Sequence, residues 1–128
     1  MAKFGMSLVV LGLAGELRDK GVAVNALWPR TIIATAAIKN LLGGEERMQQ
    51  ARKPDIMADA AYAIFNTPAR ELTGRFLIDD TFLFERGVTD FEQYRKNPTK
   101  DLASDFFLPA DSAPPPTVHT VETYGDRR

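Results

Sequence analysis

The chain has no cysteine. That excludes disulfides, a thiolate nucleophile and cysteine-based metal sites. Its only histidine, His119, lies in a proline-rich stretch, so a histidine-built metal centre or catalytic triad is not expected. Basic charge is not in surplus: the net charge of −1 argues against nucleic acid or an anionic membrane as a partner. Long apolar runs are missing too. The longest, Met6 to Glu16, is far too short to span a bilayer. Lys3 could imitate the charged start of a secretory signal, but Glu16, Arg18 and Asp19 follow where small residues would be needed. The expectation is a soluble, cytoplasmic protein without a membrane span. A G-x-G-x-x-G phosphate loop is also absent. Gly12, Gly15 and Gly21 fall in or just after a helical pattern, and Gly43-Gly44 does not follow a strand.

What is present fits one small domain at most, in 128 residues. Residues 2–19 are rich in helix formers and stop at Lys20-Gly21. Met6, Leu8, Val9, Val10, Leu11, Leu13, Ala14 and Leu17 run most of the way round that helix, which predicts burial on more than one side. VAVNALW, residues 22–28, is a nearly continuous apolar run closed by Pro29, the pattern of a strand covered on both faces. PRTIIATAA is the loop after it. Short helices are expected over 35–42 and 45–52, and a stronger one over 54–66, with Pro54 at its first turn and Asn66-Thr67-Pro68 after it. Phe76, Leu77 and Ile78 mark a second buried strand over 75–79. Thr89 and Glu92 offer a capping box for one more short helix. From Asp111 the composition changes to DSAPPPTVHTVETYGDRR, which reads as an extended, disordered tail.

Helix and strand alternation implies an α/β fold with parallel strands. Only two strands are visible, and a buried parallel strand needs neighbours on both edges. The pattern is therefore that of an incomplete sheet, the end of a larger one. Several residues have plain structural readings. Asn25 reads as a strand-end hydrogen bonder, and Asp79-Asp80 as a turn, since adjacent strand residues face opposite ways. Arg70, Glu71 and Arg75 read as a solvated rim, and Pro114 to Pro116 as a linker. On residue type alone Lys3 is a surface lysine, and Thr31 and Thr35 are helix-cap residues.

The stretch AKFGMSLVVLGLAGELRDKGVAVNALWPRT resembles the second half of the short-chain dehydrogenase/reductase family, and within it the hydroxysteroid dehydrogenase-like proteins, whose loop has the same Trp-Pro-basic-Thr character. The match runs from Ala2 to about Pro109. A lysine opens a long helix, V-N-A ends a strand before proline, and a later helix leads through L-T-G into a last strand with Asp. The resemblance implies the C-terminal part of a Rossmann-like doubly wound parallel sheet over 1–109, with 110–128 as the tail. It implies an oxidoreductase that uses NAD or NADP on a hydrophobic alcohol or carbonyl substrate.

In the family a Tyr and a Lys one helical turn later transfer the proton and bind the nicotinamide ribose. Lys3 matches that lysine. Its Tyr partner is absent from the chain, because Met1 already occupies a position inside the motif. The glycine-rich loop and the catalytic Ser would likewise lie in a missing first half, so the chain alone is expected to be inactive. Pro29 matches the proline of the nicotinamide loop. Ile32 or Ile33 would supply a backbone contact to the carboxamide, and Thr31 or Thr35 a hydroxyl. Arg30 stands where the commonest family pattern has glycine. Residues 36–52 match the substrate lid, with Ala36, Ala37, Ile38, Leu41, Leu42 and Met48 as its apolar lining. The first helix commonly forms subunit contacts in the family, which implies a homo-oligomer or association through 2–19. Two other readings stand beside the oxidoreductase: a non-enzymatic remnant that associates with a full-length relative, and a free-standing α/β binding module.

Overall fold

The structure is a computed structural model and describes residues 2–41, 43–109 and 111–122. Leu42 of the expected lid and the end of the expected tail, 123–128, lie outside the described residues. Helix α1 spans Ala2–Leu17 and tightens into a 3-10 turn over Arg18–Lys20. Gly21 ends it at φ 70°, the left-handed geometry that glycine adopts without strain, and its N–H donates to the Arg18 carbonyl at 3.1 Å. There follow strand β1 (Ala26–Trp28) and helices α2 (Ala36–Leu41), α3 (Gly44–Gln49) and α4 (Asp55–Phe65). Strand β2 (Phe76–Ile78) runs directly into α5 (Asp79–Glu85), and the short strands β3 (Leu102–Ala103) and β4 (Thr120–Val121) complete the fold.

β1 and β2 pair in parallel, with Ala26 opposite Phe76, Leu27 opposite Leu77 and Trp28 opposite Ile78. The adjacent parallel strands expected from sequence are there, with α4 in the connection between them. Asn25 bridges their entrance: its side chain donates to the Leu72 carbonyl and accepts from the Arg75 N–H, each at 3.0 Å. The expected burial on both faces is not. All of β1 is half-buried and Phe76 is exposed, because the sheet has only these two strands among the described residues. α1 departs further from expectation. Phe4, Met6, Leu8, Val9 and Leu11 are all more than half exposed, and Ala14 is the helix's single buried residue. Ala14 lies against Gly74, where an added Cβ would sit 3.5 Å away; the other faces of α1 have no layer to cover them among the described residues.

The largest core cluster joins Ile56 and Ala60 of α4 to Leu83 of α5, Phe91, Tyr94 and Val118. A second joins Ile32, Ile38, Ala51 and Ala103; a third joins Leu72, Leu77 and Phe82, with Leu27 packed against the first and third. Val118 brings the described part of the expected tail, 111–122, against this cluster. Val118 is buried, its N–H donates to the Pro115 carbonyl at 2.9 Å, and β4 pairs in parallel with β3. Two buried residues, Pro115 and Val118, and backbone hydrogen bonds accompany this course of 111–122 despite its proline content. The 3-10 turn Glu92–Tyr94 takes the place of the expected helix; its N-cap is Phe91, without a side-chain cap bond, and Asp90 Oδ1 accepts from the Glu92 N–H at 3.1 Å. No helix among the described residues is long and apolar enough to cross a membrane.

Candidate functional site

The site grows from the end of β1. Pro29 stops the strand and the chain bends at Arg30, yet the stretch beyond it is held by backbone hydrogen bonds along one edge. The Arg30 carbonyl accepts from the Asp105 N–H at 2.8 Å, and the Ile32 N–H donates to the Ala103 carbonyl at 3.1 Å. Further along the same edge the Ile32 carbonyl accepts from the Arg52 N–H at 3.1 Å, and the Ala34 N–H donates to the Arg52 carbonyl at 2.8 Å. Period-two geometry thus turns the peptide groups of Arg30, Ile32 and Ala34 inward. The N–H and carbonyl of Ile33 have no hydrogen-bond partner among the described residues.

A buried charge cluster braces this loop. Asp80 sits in the first turn of α5, where the helix dipole favours a carboxylate. It accepts from Arg30 Nε at 2.8 Å through one oxygen and from Arg52 Nη1 at 3.0 Å through the other. Arg30 is 3% exposed, and Arg52, Asp79 and Asp80 are fully buried. Asp79 Oδ1 accepts from the backbone N–H of Arg30 at 3.0 Å and of Asp80 at 2.7 Å. Burial, and then the charge of Asp80, push the Asp79 carboxyl up to about 6. The rest of the Arg30 guanidinium reaches across to residues 112–113. Nη1 donates to the Ser112 carbonyl at 3.1 Å; Nη2 donates to Thr81 Oγ1 at 2.8 Å, Ser112 Oγ at 3.2 Å and the Ala113 carbonyl at 3.1 Å. The Arg52 guanidinium lies 5.8 Å from the centre of the Phe91 ring.

The reading of Asp79-Asp80 as a turn is corrected here: the pair opens a helix and carries the loop's counter-charge. The strand register accounts for this. With Trp28 opposite Ile78, Arg30 and Asp80 each stand two residues beyond the last paired position of neighbouring parallel strands, so they emerge side by side.

Of the residues singled out from sequence, Pro29 is half-buried and Thr31 fully buried, with the Thr31 hydroxyl donating to the Ile32 carbonyl at 3.2 Å. Ile32 belongs to the second core cluster, and Ile33 packs at the edge of the first. Thr35 is exposed, and its carbonyl accepts from the Lys39 N–H at 3.1 Å. In the lid, Ala36, Ala37 and Leu41 are exposed, Ile38 is buried and Met48 is half-buried. Lys3 is exposed in the first turn of α1. Its charge still reaches Asp105, whose carboxyl is raised by burial and lowered by the Phe106 N–H and then by Lys3. Asp105 in turn holds the Arg30 carbonyl, so Lys3 and the loop meet around that residue. Groups of His, Asp and Glu that could hold a metal ion are absent among the described residues.

No family model matches the chain. Individual proteins do. Hydroxysteroid dehydrogenase-like protein 2 of Danio rerio is 50% identical over 98% of the chain, and that of Homo sapiens 47% over the same share. A short chain dehydrogenase from Mycobacterium thermoresistibile superposes with a TM-score of 0.78 over 94% of the chain at 49% identity. The chain is homologous to a segment of the short-chain dehydrogenases. It spans 29% of the length of the fish and human relatives and 42% of the mycobacterial chain. In the chain, the loop after β1 and the helices α2 and α3 lie together at one end of the parallel pair.

Proposed function

We propose that the chain is the part of an NAD(P)-dependent oxidoreductase that carries the nicotinamide-facing loop and the lid over a hydrophobic alcohol or carbonyl substrate. The observation that carries this reading is the Ile33 peptide. A carboxamide presents one acceptor and one donor edge in a plane, and the free N–H and carbonyl of Ile33 offer the complementary pair on a loop fixed at both neighbouring residues. The exposed Thr35 hydroxyl is in position to add a third contact, whereas the Thr31 hydroxyl is spent inside the loop. Lys3 supplies a positive charge beside the same loop. The nicotinamide, when bound, supplies or accepts a hydride. The chain's own residues orient its ring, and exposed Ala36, Ala37 and Leu41 offer apolar surface to the substrate.

The contacts that dominate dinucleotide affinity are made by a glycine-rich loop at a helix start, and the chain contains none. Alone it should therefore bind NADH and NADPH weakly and oxidise no alcohol. Two measurements test this. In an NMR titration, nicotinamide mononucleotide at millimolar concentration should shift the Ile33 and Thr35 amides and leave Ala60 in α4 unmoved; an unresponsive loop overturns the assignment. Calorimetry with NADH and NADPH should show no tight binding, and a low-micromolar Kd for the monomeric chain would show a complete dinucleotide site. The exposed apolar residues of α1 favour a second reading, association with a full-length relative. Light scattering of the mixture against its components decides it.

A further inference from the structure

We propose that Arg30 is a positioning residue that locks the nicotinamide-facing loop to the proline-rich segment 111–122, so that the two order and loosen together. The inference rests on the reading of the loop given above. Its evidence is the distribution of one side chain's bonds. Backbone and guanidinium of Arg30 serve different segments. The N–H and carbonyl fix the loop to Asp79 and Asp105. Nε meets the buried counter-charge Asp80, while Nη1 and Nη2 hold the Ser112 carbonyl, Ser112 Oγ and the Ala113 carbonyl. The far end of the same segment returns to the loop by a second route. The Ser104 N–H donates to the Val121 carbonyl at 2.9 Å, and the neighbouring Ala103 carbonyl accepts from Ile32. Residues 111–122 thus touch the loop's support at both ends, and Pro115 and Val118 are buried between.

The chemistry calls for arginine. A planar guanidinium can face a carboxylate with one edge and backbone carbonyls with the others, while an ammonium is a point charge with three donors on a single atom. Lysine at this position could neutralise Asp80 but could not also span Thr81, Ser112 and Ala113. Neutralisation of the buried carboxylate and attachment of the segment are therefore separable by substitution.

Hydrogen–deuterium exchange on the full 128-residue chain tests this without any cofactor. In Arg30→Lys, the Ile32 and Ala34 amides of the loop and the Ser112 and Val118 amides of the segment should exchange about tenfold faster, together. The amides of α4 should keep their rates. Thr81→Val removes one Nη2 acceptor and leaves the buried ion pairs intact. It should accelerate the same two segments about threefold. Acceleration of the loop without the segment, or of the segment without the loop, overturns the lock. So does a uniform rise that includes α4 in both variants, which would make Arg30 a general stabiliser. Because nicotinamide is absent from this measurement, the outcomes are distinguishable. Coupled exchange with no nicotinamide mononucleotide response keeps the lock and removes the assignment of the loop; the reverse removes the lock alone.

Discussion

α1 and the Arg30 cluster invert the usual relation between residue type and burial. The helix is almost wholly apolar along its middle, and its side chains stand in solvent. The cluster holds four formal charges, and at most 3% of any of them is exposed. Apolar surface is buried only when a second apolar surface is available, and among the described residues of α1 only Ala14, against Gly74, is buried. Charges can be buried wherever opposite charge and hydrogen bonds meet them, and here two arginines, two aspartates and the start of a helix do so. Composition alone predicts the two regions the wrong way round.

The sharpest way to break the comparison is Asp80→Ala. It leaves Arg30 and Arg52 buried without their shared counter-charge and should destabilise the chain by about 3–5 kcal/mol, read from denaturant unfolding. Asp79 gives the next largest effect, through pH. Its carboxyl titrates near 6 in the folded chain against 3.8 ordinarily, so the native state keeps a proton that the unfolded state releases. The stability this confers is complete below about pH 4 and is lost as pH rises through 6, a change of about 3 kcal/mol. Asp79→Asn should flatten that part of the stability–pH profile while retaining the acceptor for the Arg30 N–H. On the helix side, Ala14→Leu overfills the buried contact of α1 with Gly74 and should cost about 1–3 kcal/mol, measured by thermal unfolding. Leu8→Gln, at a residue 53% exposed, should change stability by less than about 0.5 kcal/mol in the same measurement. A larger loss there would mean that α1 is covered in solution.

Much of the fold was legible in sequence because its signals are local. Pro29 and Gly21 bracket β1, the spacing of Ile56, Ala60 and Ala63 marks α4, and continuous Phe76-Leu77-Ile78 marks β2. What was not legible is what distant residues decide. β3 and β4 are two residues long and exist only through each other, so no period can reveal them. α5 was hidden because Asp79-Asp80 reads equally as a turn and as a helix's first turn. At the site, Pro29, Ile33 and Thr35 could be placed on a loop from their order alone. Which of Ile32 and Ile33 keeps an unbonded peptide group could not be read, because that depends on which one Ala103 and Arg52 occupy. Arg30 was invisible as a buried residue, since its partners Asp79, Asp80 and Ser112 lie far along the chain.

Those separations bear on how the chain acquires its shape. Arg30 is 49 residues from Asp79, 50 from Asp80 and 82 from Ser112. Each tether closes a long loop before it yields any gain, the situation that slows folding most. During synthesis the amino-terminal side emerges first. α1 and α4 can form from neighbours as they appear, but the stretch after Pro29 must wait until residue 113 has left the ribosome before its last bond can close. The loop near the start of the chain is therefore among the last parts to reach its final geometry, and a pause in translation before Ser112 would leave the charges of Arg30, Arg52 and Asp80 together with no closing segment.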